Sequence, residues 1–245
     1  MHSRLSTPSS KPSCPYSNCG RCRLSTVCLP LSLSLDDIHR LDAIVQRRPP
    51  LQSGTMLYRT GDPFNAIYAV RAGALKTWTT DIHGREQITG FYLPGDIAGL
   101  DGPANHQHSN SAQVLQTSSV CKLPYHLLEQ LGSKVPGLQR NLLQLLSREI
   151  VHDQQQRRLL SRSSAQTRVA AFLLDMSNRH QRHNLSATEF TLPMSRGDIA
   201  NFLGLTLETV SRTFSHLQKT GLLSTAGKHI HIIDLEQLSD CAQTD

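Results

Sequence analysis

Four cysteines, Cys14, Cys19, Cys22 and Cys28, fall within fifteen positions of the 245-residue chain, while Cys121 and Cys241 stand far from them. Thiolates are nucleophiles and soft metal ligands, and clustering of this kind points to metal or redox chemistry rather than to packing. The run Cys19-x2-Cys22-x5-Cys28 lets one short loop occupy three corners of a thiolate site. A fourth thiolate then closes it, either the remote Cys121 or the local Cys14. Tetrahedral thiolate suits zinc and iron–sulfur centres alike, so the residues leave the metal open. Cys241, near an acidic tail, reads as an exposed thiol, and His106-x-His108 reads as a solvated loop pair without a third ligand.

A second set of residues carries a different chemistry. Ser195 and Asp198 have the capping-box spacing, Gly204 suits a left-handed turn, and Thr206 is placed to cap a following helix. Val210, Phe214 and Leu217 give that helix a buried face. Leu207, Glu208, Ser211 and Arg212 then share its N-terminal, outward side. Helix, turn and helix in this order make a helix-turn-helix whose second member enters the DNA major groove. Arg212 can donate two hydrogen bonds to guanine, Glu208 can accept from cytosine, and Leu207 can meet a thymine methyl. Arg196, Lys219 and Lys228 flank this face and suit phosphate contact, which positions without specifying.

The elements that must hold these groups follow from pattern. Ser34 and Asp37 start a short amphipathic helix carried by Ile38, Leu41, Ile44 and Val45. Eight of the 15 glycines lie between Gly54 and Gly102, separating short segments rich in β-branched and aromatic residues. These are Thr55–Tyr58, Ala66–Val70, Ala74–Thr80, Gln87–Tyr92 and Ala112–Leu123, a pattern that predicts an antiparallel barrel or jelly roll. Residues 101–110 read as an exposed loop. Pro136 opens a helix to about Leu160 whose stripe holds Leu142, Leu143, Leu146 and Ile150, then Asp153 and Arg157. An exposed apolar stripe on a helix joining two domains needs a partner, which predicts a homodimer seam. A further amphipathic helix runs from Arg168 to His180, and the chain is expected to close with a two-stranded wing, Leu222 to Ser224 against His229 to Ile233.

The fold class is therefore α+β. Residues 1–33 form a leader and cysteine segment, 34–135 a β-roll sensor, 136–163 the dimerisation helix and 164–245 a winged helix-turn-helix. The net charge of +6 permits nucleic-acid binding without arguing for it, because residues 164–245 hold seven basic and eight acidic side chains. The Ser/Pro-rich start has no apolar core of a secretory signal, and no stretch reaches the roughly 18 apolar residues of a membrane span. The expected location is the cytoplasm, without a membrane partner, where thiols stay reduced. Walker A, Gly-x-Ser-x-Gly, dinucleotide and His-Glu-x-x-His motifs are absent from the sequence, so an enzyme is not expected.

Taken together, the roll, the long helix and the winged unit with Leu-Glu-Thr-Val-Ser-Arg at 207–212 resemble the CRP/FNR family of bacterial transcription regulators, from Cys19 to Ile233. The Glu-x-x-Ser-Arg pattern is similar to the FNR branch. The resemblance implies that Glu208, Ser211 and Arg212 read a TTGAT-type half-site, two of which lie about one helical turn apart on double-stranded DNA. Cys19, Cys22 and Cys28 resemble that branch's N-terminal cluster segment and Cys121 its distant fourth ligand, implying a [4Fe–4S] cluster, with zinc as the alternative. RNA polymerase is the implied partner in activation. A cyclic nucleotide is not expected, because residues 100–116 contain no Lys or Arg to meet its phosphate. The implied signal is oxygen: loss of the cluster frees a seam where two Asp153 carboxylates repel, with Arg157 one turn on able to blunt the repulsion.

Overall fold

The computed structural model describes residues 18–25, 27–162 and 164–243. Cys14 and the leader before it lie outside the described residues. Cys19–Arg21 forms one 3-10 turn, capped by the Asn18 side chain, which accepts from the Arg21 N–H. Helix α1, Leu35–Ile44, starts where Ser34 accepts from the Asp37 N–H, and it buries Leu41. Strands β1 (Gln46–Arg47), β2 (Met56–Tyr58), β3 (Ala66–Thr80), β4 (Glu86–Tyr92), β5 (Ile97–Ala98) and β6 (Ser111–Pro124) then form one antiparallel sheet. Its order is β1-β6-β3-β4, with β2 also on β6 and β5 also on β3.

Two expected segments, Ala66–Val70 and Ala74–Thr80, are one strand. Gly73 lets the chain continue through a bulge: its φ is +84°, and a Cβ there would stand 2.1 Å from the Ser118 Oγ. That hydroxyl instead accepts from the Ala74 N–H at 3.0 Å. A glycine inside a strand marks such close approach rather than a strand end. The 101–110 segment is a loop, exposed at 104–107 and 109 as expected, but its Gly102 and His108 turn inward onto the roll. Asp101 Oδ2 accepts from the Ser109 and Asn110 N–H groups at 2.7 and 2.9 Å. His108 is thereby buried and stacks on Tyr58 with ring centroids 3.7 Å apart, so it is not solvated. Val70, Leu75, Ala98, Val114 and Val120 fill the roll interior.

Helix α2, Tyr125–Gly132, leads into α3, Pro136–Arg162, which spans about 40 Å at 1.5 Å per residue. Its apolar stripe is divided. Leu138 is fully buried and Leu142 and Leu145 pack beside it against the roll, in the cluster that holds Leu29, Leu41 and Leu128. Leu143 and Ile150 are 61% and 57% exposed, with Leu146 and Val151 also open. Leu142, expected on the seam, thus serves its own domain.

Ser164 caps α4 (Ala165–Arg182) through the Thr167 N–H. Next come β7 (Glu189–Thr191), α5 (Arg196–Leu203), α6 (Leu207–Lys219), β8 (Leu223–Ala226), β9 (His229–Ile232) and α7 (Leu235–Gln243). The expected two-stranded wing gains β7 as a third strand beside β9, and the chain closes with α7 rather than with the wing. Phe172, Leu173, Met176, Ile199, Val210, Phe214 and Leu217 form the core of this unit, and the core continues into Trp78, Ile88 and Phe91 of the roll. The two domains are therefore joined by packing. Asn201 adds hydrogen bonds across the joint, accepting from the Ile88 N–H at 2.6 Å and donating to the Glu86 carbonyl at 2.7 Å. Lys76 on β3 bonds Asp198 on α5 at 2.7 Å.

Candidate functional site

The cysteine loop is shaped by its own turns. Cys22 donates its N–H to the Cys19 carbonyl, Ser25 to that of Cys22, and Cys28 to that of Leu24. Leu24 and Leu29, 5% and 1% exposed, anchor the loop to the roll. Cys121 comes from β6, where its cross-strand neighbours are Arg47 on β1 and Ala69 on β3. Cys19, Cys22, Cys28 and Cys121 line one small cavity whose other walls are largely apolar, including Leu29, Leu41 and Leu123. The structure thus brings together the thiols whose spacing and resemblance singled them out. Cys241 sits apart on α7, half-buried against the core beside Gln166 rather than exposed.

Burial governs three of these thiols. It pushes Cys19 up to about 12, helped by a hydrogen bond to Asp42, and pushes Cys28 up to about 12 as well. Cys121 is raised by burial too, with Arg47 and Arg71 working the other way. Neutral Cys19, Cys28 and Cys121 thiols suit this cavity; ionising them calls for a cation inside it. Sequence reading missed two participants. Asp42 on α1 accepts from the Cys19 N–H at 2.7 Å and from Arg47. Burial by itself would raise the Asp42 carboxyl, but those two donors outweigh it and hold it below its ordinary value. Neither residue carries a sequence signal, since only the β1–β6 register brings Arg47 to Cys121.

The helix-turn-helix is built as its caps foretell. Ser195 and Asp198 form a reciprocal capping box on α5, Gly204 ends the helix at φ +62°, and Thr206 accepts from the Thr209 N–H to start α6. A left-handed residue at this turn is costly for any side chain with a Cβ. Arg168 Nη1 donates to the Leu203 carbonyl at 3.0 Å, tying α4 to the turn. On α6, Val210, Thr213, Phe214 and Leu217 face inward. Leu207, Glu208, Ser211 and Arg212 are exposed together. Arg212 Nη2 meets Glu208 Oε1 at 2.5 Å, with both side chains more than 70% exposed. Such a pair contributes little stability and is readily exchanged for base edges.

The three flanking cations differ. Lys219 is exposed at the end of α6. Lys228 Nζ donates to the Pro193 carbonyl at 2.9 Å. Arg196 lies over the Phe214 ring, 3.2 Å from its centroid, and burial pushes its guanidinium down to about 10. Its Nη1 has no hydrogen-bond partner among the described residues. On α3, Asp153 and Arg157 are exposed beyond Ile150. No helix of the described residues is long and apolar enough to cross a membrane.

Comparison with known proteins agrees with this architecture. Residues 49–134 match the cyclic nucleotide-binding domain model and residues 167–241 the Crp-like helix-turn-helix domain model. The chain is 47% identical over 224 residues to the transcriptional activator protein anr of Pseudomonas aeruginosa, covering 91% of this chain and 92% of that one. It is 44% identical over 227 residues to the anaerobic regulatory protein of Pasteurella multocida, covering 93% and 83%. Among solved structures, FixK2 from Bradyrhizobium japonicum superposes with a TM-score of 0.76 at 32% identity, covering 82% of this chain and 99% of that one. These relatives are regulators of transcription rather than enzymes, and with both domains matched in order the chain belongs to the CRP/FNR family of transcription regulators, in its FNR branch.

Proposed function

We propose that the chain is an oxygen-responsive activator of anaerobic genes that holds a [4Fe–4S] cluster on Cys19, Cys22, Cys28 and Cys121. The observation that carries this reading is the convergence of four thiols, three from a loop and one from a strand, on one apolar cavity. The names of its relatives, an anaerobic regulatory protein and a transcriptional activator, support the signal and its direction. Zinc on the same four thiols is the alternative, because tetrahedral thiolate suits zinc as well as iron–sulfur centres.

When bound, the cluster supplies a reactivity toward dioxygen that destroys it in air. The chain's own residues supply the rest. Leu143, Leu146 and Ile150 present an open stripe suited to a second copy, and paired Asp153 carboxylates beside it oppose pairing unless Arg157 neutralises them. Leu207, Glu208, Ser211 and Arg212 read TTGAT-type half-sites. Lys219, Lys228 and Arg196 meet phosphates, and RNA polymerase is the partner in activation. The chain works in the cytoplasm and needs no cyclic nucleotide, because residues 100–116 hold no Lys or Arg to meet its phosphate.

Protein purified without air tests this. The expectation is about four irons per chain, a brown colour that bleaches in air, and operator affinity that falls with it. Cys121→Ser lowers both iron content and operator affinity. Colourless protein containing zinc would instead establish a thiol-based redox regulator on the same fold.

A further inference from the structure

We propose that Arg47 is a positioning residue for the iron–sulfur group, donating a hydrogen bond to the Cys19 sulfur and placing its positive charge between the two halves of the thiol set. The inference rests on the cluster reading above. Arg47 lies on β1 directly across from Cys121, so it stands beside the strand that supplies the fourth thiolate. From there its Nη2 reaches the Cys19 Sγ at 3.5 Å, within hydrogen-bond range for sulfur. The same nitrogen bonds Asp42, whose Oδ1 also accepts from the Cys19 N–H at 2.7 Å. Cys19 is thus held at its backbone by Asp42 and at its sulfur by Arg47. The Arg47 and Asp42 side chains are 20% and 25% exposed, so the contact is partly shielded from water.

The chemistry requires such a group. Four thiolates around a core of charge +2 leave a net charge of −2, placed here in a largely apolar cavity. Hydrogen bonds to sulfur and nearby positive charge stabilise the more reduced, more negative state and so raise the reduction potential. Arg47 also discourages the loss of an electron to dioxygen, because oxidation lowers the negative charge that the guanidinium favours.

The test uses the full chain, reconstituted with iron and sulfide under argon, as parent, Arg47→Gln and Arg47→Lys. Iron per chain, the reduction midpoint and the rate of bleaching in air-saturated buffer are measured for each. With iron content unchanged, Arg47→Gln should have a more negative midpoint and should bleach roughly three- to tenfold faster, the scale of one lost hydrogen bond. Arg47→Lys, which keeps the charge, should fall between. An Arg47→Gln chain that holds full iron with parental midpoint and bleaching rate overturns the proposal. If Arg47→Gln takes up no iron, recovery of iron by Arg47→Lys with a shifted midpoint supports it, and an equally empty Lys chain overturns it. A parent that binds no iron is a different result, since it overturns the cluster reading itself.

Discussion

Asn201→Ala probes the joint between the reading unit and the roll. β4 is the last strand of the main sheet path, so among the described residues one edge of its backbone has no strand to pair with. Asn201 covers that edge, accepting from the Ile88 N–H at 2.6 Å and donating to the Glu86 carbonyl at 2.7 Å. Each bond is worth about 1 kcal/mol net. The exposed Glu86 carbonyl regains water once the side chain is cut back, whereas the half-buried Ile88 N–H is left without a partner, which adds a desolvation cost. The total comes to about 2 kcal/mol, or ~30-fold in a local opening equilibrium. The Gln87 Nε2 bond to the Asn201 carbonyl survives, since it uses only backbone at 201. Amide exchange reads the effect directly: Ile88 should exchange roughly 30-fold faster in the variant, and the melting temperature should fall by about 4–8 °C. Parental Ile88 protection, within about twofold, would mean that Phe91, Phe172 and Phe202 hold the joint without Asn201.

Other perturbations separate stability from function. Arg212→Ala should leave the melting curve unchanged, since its partner Glu208 is an exposed i,i+4 neighbour worth at most about 0.5 kcal/mol. The same variant should lose at least about tenfold in operator binding and relax discrimination at one base pair, checked on a panel of substituted half-sites. Ile150→Asp should leave the folded chain intact because the side chain is 57% exposed, yet shift anaerobic protein toward monomer in sedimentation. Glu149 is raised to about 7 by burial, then by Asp96, with Arg179 opposing and Asp153 and Asp175 adding to the rise. A carboxyl raised on folding stabilises fully below its unfolded value and loses that contribution as pH rises through about 7. Urea midpoints should therefore fall less between pH 5 and pH 8 for Glu149→Gln than for the parent.

Local chemistry made much of this legible in advance. Capping residues announce themselves, so Ser34, Ser195, Gly204 and Thr206 mark their helix ends in the sequence itself. The four thiols were recoverable because ligand spacing and flanking residues are sequence properties. What stayed hidden depends on register. Gly73 read as a break because its real role, admitting Ser118 against the backbone, belongs to a partner strand 45 positions away. Arg47 and Asp42 gave no signal, since an arginine and an aspartate five residues apart look like any surface pair. The division of the α3 stripe was equally invisible: Leu142 and Leu143 are adjacent and chemically alike, and only the roll beside them separates their duties. His108 was misplaced because Asp101, by taking two backbone N–H groups, turns an apparent surface loop inward.

One consequence of β3 concerns its length. It runs as one strand, bulged between Val70 and Leu75, from Ala69 beside Cys121 to Lys76 and Trp78, which touch the reading unit. With that bulge kept, adding or deleting one residue between those points would turn every later side chain to the opposite face. Lys76 would then point away from Asp198, and Trp78 would leave the shared core. The span from the thiol cavity to the DNA-binding unit is thus a ruler: side chains along it can be exchanged more freely than its number of residues.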